Sequence, residues 1–423
     1  MRKISLPAQL QDSRAQLVMA SAFILFANLF FLLNPQSAIA FLLFMGSVLV
    51  LYKMPVPVHV KIFVAAVVLG VMMPLIGLEN VYYLDVVTQV GIYVALAIGL
   101  NIVVGFAGLL DLGYVAFYAS GAYLYAIFAT SQASNFISWA HFPLSGMWFW
   151  PFLFLGLIVA AIFGVLLGFP VLRLRGDYLA IVTLGFGEII RIVLNNLDKP
   201  VNITNGPKGL TPIQPPELFG LVLNQPIHYY YLVLIIIIVT LIVARRLDNS
   251  RIGRAWAAIR EDELAARSMG IPLVRMKLLA FASGASFAGV MGVIFSAKQT
   301  FIDPSSFSFM ESIGILAMVI LGGMGSVAGA VIGAVAVVVL QLQVLKEFSD
   351  FLGQLSLKGI VTIPSQLDPA KYERLIFGAI LVAMCVFRPK GLLPAKRQLA
   401  LLKERVQKLK AKGETRGEDI DVA

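Results

Sequence analysis

The stretch SRIGRAWAAIREDELAARSMG, residues 250–270, decides how this chain is read: it is a charged, helix-forming segment between two apolar runs long enough to cross a bilayer. It carries no proline, and its alanines, leucine, glutamates and arginines are good helix formers. On a 3.6-residue period Ala255, Ala258, Ile259, Ala266 and Met269 share one face, interrupted by Asp262, while Arg260, Glu263 and Arg267 line another. Glu263 stands four residues ahead of Arg267, a spacing that supports a helix by ion pairing. Gly270, followed by Ile271 and Pro272, supplies a stop. The pattern predicts an amphipathic helix outside the bilayer, lying on a membrane surface or on a partner protein. Two readings stay open for it: a solvated basic loop that only fixes topology, or a docking helix for a separate subunit. Orientation alone requires little beyond lysine and arginine, whereas this segment adds Asp262, Glu263, a small-residue face and a glycine break.

Working outward, the composition narrows the class. Of 423 residues 59% are hydrophobic and 13% charged, against roughly 25% charged in soluble domains, which excludes an ordinary soluble protein. The net charge of +10 is local. Arg245, Arg246, Arg251, Arg254, Arg260, Arg267, Arg275 and Lys277 surround the central segment, and a second basic cluster runs from Arg388 to Arg416. Basic residues at the cytoplasmic ends of membrane spans account for this more simply than nucleic acid does, so no nucleic-acid partner is expected. Cys385 is the only cysteine, leaving no intramolecular disulfide and no cysteine-cluster metal site. His59, His141 and His228 are scattered without ligand spacing, and neither metal nor cofactor is expected. The first apolar run follows a basic start and is succeeded at once by another, so it reads as a retained span, not a cleaved signal.

Apolar runs near residues 17–33, 38–51 and 62–76 are rich in Phe, Leu and Val with few polar groups, and residues 1–80 read as an accessory, lipid-facing bundle. From Tyr82 the character changes. Runs near 86–104, 112–130, 148–171, 178–194 and 229–243 precede the central segment, and 278–295, 313–322, 327–342 and 375–386 follow it. Glycines thicken here, including Gly164, Gly168 and the series Gly325, Gly329, Gly333 at every fourth position, which lets helices approach closely. The expected fold is an all-α, polytopic transmembrane helical bundle of about 10–12 spans, some broken or re-entrant. Charge places the amino-terminus, the Arg173/Arg175 turn, the central segment and a charged tail over 394–423 in the cytoplasm. Residues 131–147, 196–226 and 301–309 are then outside.

No GxxxxGK[ST] loop, HExxH or spaced Ser/His/Asp set occurs, so no catalytic residue is expected. Polar residues in apolar runs carry weight because their burial in lipid is costly; they are Asn101, Asp111, Glu188, Arg191 and Glu311. Glu188 and Arg191, three apart, suit a structural ion pair or a place in a substrate path. Asp111 lies in AGLLDLGYVAF, whose glycines could interrupt a helix and expose backbone groups, as broken helices do along transport pathways. Asn101, Asp111, Tyr114, Gly322 and Gly323 are the candidate substrate-path residues. The sequence TNGPKGL (204–210) reads as an external turn, or as part of a docking or gating surface.

Six blocks in order, NIVVGFAGLLDLGYVAFYASGAY (101–123), RLRGDYLAIVTLGFGEIIR (173–191), TNGPKGL (204–210), GRAWAAIREDELAARSMG (253–270), LGGMGSVAGAVIGA (321–334) and FRPKGLL (387–393), resemble branched-chain amino acid ABC-transporter permeases of the LivM type. The likeness covers about residues 82–393. It implies a core permease domain over 81–393, holding a coupling helix at about 253–270. The order Ala265-Ala266 ahead of Gly270, with Glu263 just before, resembles the ATPase-docking signature of importer permeases. Arg254, Arg260, Glu263 and Arg267 would make polar contacts to the ATPase, and Ala265, Ala266 and Gly270 would allow close approach. The resemblance further implies a LivH-type second permease, two LivG/LivF-type ATP-binding subunits, a periplasmic substrate-binding protein, and alternating access in the inner membrane of a bacterium. It implies leucine, isoleucine or valine as cargo. Related permeases for urea and short amides share most of these blocks, a urea/short-amide or sugar ABC permease is the runner-up, and an ion-coupled secondary carrier is the rival of a different class.

Overall fold

The computed structural model describes residues 13–34, 37–54, 56–138, 140–171, 174, 176–357, 372–388 and 391–394. Arg173, Arg175 and the tail beyond residue 394 lie outside them. In chain order the helices are α1 (Ser13–Leu33), α2 (Ala38–Lys53), α3 (Val58–Val67), α4 (Met73–Glu79), α5 (Val81–Leu100), α6 (Val115–Phe128), α7 (Phe149–Val171) and α8 (Asp177–Asn196). There follow α9 (Pro226–Asp248), α10 (Arg251–Glu261), α11 (Glu263–Ser268), α12 (Leu273–Gln299), α13 (Phe309–Gly322), α14 (Val327–Val339), α15 (Leu345–Leu357) and α16 (Glu373–Phe387). Among the described residues the only strands are Glu217–Leu218 and Leu221–Val222, one short antiparallel pair.

Among the described residues, six helical stretches are long and apolar enough to span a membrane, namely His59–Glu79, Val81–Phe106, Gly146–Val171, Pro226–Asp248, Leu273–Gln299 and Val327–Asp350. Five shorter apolar helices accompany them among the same residues. The chain is a multi-pass membrane protein, and large apolar side chains such as Phe154, Ile158, Ile162 and Phe169 on α7 point outward, where lipid replaces a protein core.

The described chain divides into two compact units. The first takes the residues up to Ile92, Pro215–Ile238 and those between Val338 and Arg374. Its helices contain wide π-turns with identifiable causes. Pro74 has no N–H to donate, and the turn Val68–Met72 runs just ahead of it, between α3 and α4. The Leu69 and Gly70 carbonyls in that turn accept instead from the Tyr230 and Tyr231 hydroxyls, at 2.5 and 2.9 Å. A second π-turn, Leu340–Val344, has its Leu342 carbonyl answered by the Tyr82 hydroxyl at 2.9 Å. In a setting without water each freed carbonyl needs such a donor.

The second unit comprises Tyr93–Gln214, Val239–Val337 and the residues from Leu375. α12 is its axis. Gly289 meets Gly156 of α7 and Gly121 of α6 so closely that a Cβ on any of the three would overlap the facing chain, and Gly292 does the same against Tyr118 and Ala122. α13 and α14 form a tight pair across Gly322, Gly329 and Gly333. Gly325, the first of the expected four-residue series, is not in that seam; it sits in the turn between the helices at φ 83°.

Candidate functional site

The central segment is two helices, not the single one expected over 253–270. Asp262 adopts an extended conformation, ends α10 and begins α11, its carboxylate accepting from the backbone N–H of Leu264 and Ala265 at 2.8 and 3.0 Å. An aspartate is among the best N-caps, and here that local preference beats helix continuity. Ser250 caps α10 in the same way through Gly253 N–H at 3.1 Å.

The inner face of this pair is fastened to its own unit. Trp256, which the periodicity reading passed over, is fully buried and donates its indole N–H to the Met276 carbonyl at 2.7 Å. Ile259 and Ala266 are buried beside it, as the predicted apolar face requires, but Met269 is 82% exposed and does not belong to that face. Glu263 reaches Lys277 near the start of α12, at 2.7 Å, with the Lys277 side chain only 5% exposed. Arg260 turns inward and donates to the Gly105 carbonyl. On the outer side Arg254, Ala265 and Arg267 are exposed, and Leu264 stands 63% exposed. Gly270 has open space around it and φ 80°, a left-handed conformation that favours glycine. Ile271 N–H bonds back to Ala266 O and Gly270 N–H to Arg267 O, the two bonds of a Schellman stop, which favours glycine at this position.

The candidate path residues gather in the same unit. α5 runs through a π-turn, Asn101–Phe106, and the chain then loses helical form until Val115, confirming an interrupted helix around AGLLDLGY. Gly108, at φ 72°, turns the chain there. Asn101 is fully buried, its side-chain carbonyl accepting from Gly325 N–H at 2.8 Å while its amide nitrogen has no partner. Asp111 is equally buried; one oxygen accepts from Gly113 N–H at 2.9 Å and the other has no partner. Tyr114 donates to the Gly284 carbonyl of α12 at 3.0 Å. Side chains from distant elements satisfy the unwound backbone, Thr183 Oγ1 accepting from Leu112 N–H at 2.9 Å and Ser312 Oγ from Val115 N–H at 3.0 Å.

Gly322 and Gly323 end α13, and the C-terminal block closes over them. Leu392 and Leu393 N–H donate to the Leu321 and Gly322 carbonyls, both at 2.9 Å, supplying donors that a helix end otherwise lacks. Gly391 at φ 74° lies against Gly323, where a Cβ would come within 2.5 Å of the Gly323 Cα. Elsewhere Glu188 and Arg191 pair at 2.7 Å on α8, and Glu311 accepts from the Tyr93 hydroxyl at 2.9 Å. TNGPKGL is a structured turn: Asn205 is left-handed at φ 60°, and Leu210 pairs with Ile302. Among the described residues no group of three or more His, Cys, Asp or Glu could hold a metal ion.

Sequence reasoning missed Trp256, Thr183, Ser312 and the inward turn of Arg260 and Lys277. Trp256 carried a signal, since a lone indole in a charged stretch asks for a buried partner. The partners of Arg260 and Lys277 lie far off in sequence and leave no local trace.

A multi-pass bundle with an interrupted helix and a charged helical pair tied to its end defines a membrane transport subunit. The chain belongs to the family described as the branched-chain amino acid transport system permease component, whose profile matches residues 82–385. It is 40% identical over 342 residues to the Salmonella typhimurium protein named high-affinity branched-chain amino acid transport system permease protein LivM, covering 75% of this chain and 72% of that one. It is 39% identical over 363 residues to the Escherichia coli protein of the same name, covering 80% and 76%. A probable branched-chain amino acid transport permease protein LivM of Methanocaldococcus jannaschii is 25% identical over 335 residues, covering 72% and 91%. No solved structure matches the chain.

Proposed function

We propose that this chain is one of two permease subunits of an ATP-driven importer of leucine, isoleucine and valine in a bacterial inner membrane. Separate cytoplasmic ATPases of the LivG/LivF type drive it, a LivH-type permease completes the pore, and a periplasmic binding protein delivers the cargo. Both termini, α10 and α11 lie in the cytoplasm, residues 1–80 form an accessory bundle, and residues 81–393 form the permease core. The observation that carries the reading is the two-sided build of α10–α11. One side is bolted to the bundle by Trp256 and the Glu263–Lys277 pair; the other presents Leu264, Arg267 and Met269 outward. A segment of this kind moves as a rigid piece when a docked ATPase pulls it, and the bundle follows. Similarity to the LivM proteins supports the choice of cargo.

The test is uptake of radiolabelled leucine against urea in proteoliposomes holding all four kinds of subunit. Leucine accumulation that requires ATP and the binding protein is expected. Urea transport in its place overturns the substrate, and accumulation driven by an ion gradient without ATP overturns the class.

A further inference from the structure

Resting on the coupling role just proposed, we propose that Arg260 is a positioning residue that carries movement of α10–α11 into the interrupted end of α5, and not a docking contact for the ATPase. The geometry is specific. Arg260 Nη1 donates to the Gly105 carbonyl inside the π-turn. This carbonyl stands where the helix is about to end, one of the positions that lack an onward backbone donor. A guanidinium there answers both the carbonyl and the negative end of the helix dipole. The stem of Arg260 passes over Gly108, where a Cβ would come within 2.8 Å of Arg260 Cγ. Its other side fills the space beside Gly325, where a Cβ would come within 2.6 Å of Nη1.

Glycines of two separate elements thus make room for one side chain. Gly325 N–H in turn donates to Asn101 at the first residue of the same π-turn, at 2.8 Å. Arg260 and Asn101 therefore clasp the turn between α13 and α14 to the end of α5. The unpartnered Asn101 amide nitrogen and Asp111 oxygen lie at the two ends of the break, leaving polar capacity that a second arrangement of this segment would use. Only a planar, forked cation can hold the carbonyl with one arm while packing its remaining face against Gly325; a lysine would keep the charge and lose the fit.

The experiment compares R260A, R260K and the outer-face variant L264D/M269D in the complete transporter. Three quantities are read: ATPase retained on the purified complex, ATP hydrolysis, and leucine uptake. R260A should keep the ATPase and its hydrolysis while uptake falls about 5- to 100-fold, so that ATP spent per leucine rises. R260K should recover part of the uptake, and L264D/M269D should shed the ATPase. Loss of the ATPase from R260A to the same degree as from L264D/M269D would make Arg260 a docking contact, overturning the proposal while sparing the coupling role. Unchanged uptake in R260A, or uptake and hydrolysis falling in proportion, overturns it too. If L264D/M269D also keeps its ATPase, the coupling role fails and the proposal with it. Should R260A not accumulate in the membrane, R260K is judged on the same ratio, and an unchanged ratio counts against the proposal.

Discussion

Lys277 shows what a single residue can hide. Counted in the sequence it is one more positive charge of a basic loop, yet its ammonium is buried against Glu263. Removing the carboxylate leaves that charge without its pairing partner, so E263Q should lower the stability of the purified complex by about 2–3 kcal/mol. K277M in the same background should restore part of the loss, as read by thermal unfolding in detergent. Trp256 contributes both a hydrogen bond and buried volume. W256F, which deletes the indole donor to Met276 together with part of the buried ring, should cost about 2–3 kcal/mol, and W256A about 3–5 kcal/mol. Asp303, in the loop before α13, gives a pH signature. Burial opposes its ionisation, but hydrogen bonds from the Ser305 and Ser306 hydroxyls and backbone N–H groups outweigh this, and its carboxyl is held below the ordinary 3.8. Because the folded-state value is the lower one, its stabilisation is present above the unfolded-state pKa of about 4 and is lost as pH falls through the folded value. D303N should therefore flatten the acid limb of a melting-temperature profile below about pH 4.

At the scale of elements, close packing and freed carbonyls decide stability. Gly333 faces the Met318 backbone so tightly that an alanine must push α13 and α14 apart, whereas Gly314 on α13 has nothing within 4 Å. G333A should cost about 1–3 kcal/mol, while G314A should be neutral or stabilise slightly, a contrast that thermal unfolding of the two variants checks. The π-turn ahead of Pro74 supplies a coupled test. Y231F should cost about 1 kcal/mol where Pro74 has no N–H to donate, and less in P74A, where residue 74 regains it. Much of this level could be read in advance: the glycines of AGLLDLGY announce the break after α5, and the three-residue spacing of Glu188 and Arg191 announces their pair. The single helix expected over 253–270 failed because Asp262 competes for the N–H groups of Leu264 and Ala265, a capping preference that average propensity conceals.

For the whole molecule, hydropathy was enough for the class, since apolar runs of spanning length need no knowledge of partners. Six blocks in order carried the family. The joint between α10–α11 and the interrupted helix was not readable, because Arg260 and Gly105 lie far apart in the chain and neither has a local pattern that names the other. Periodicity reports which face of an element is buried and says nothing of what lies against it. The same distance governs Leu392 and Leu393, which close the end of α13. The ribosome releases Leu321 and Gly322 long before it makes the residues that satisfy their carbonyls, so α13 enters the bilayer unfinished. A chain truncated before residue 391 leaves these two carbonyls without the donors that Leu392 and Leu393 supply, so its α13–α14 hairpin should be cut by added protease more readily than in a chain that carries them.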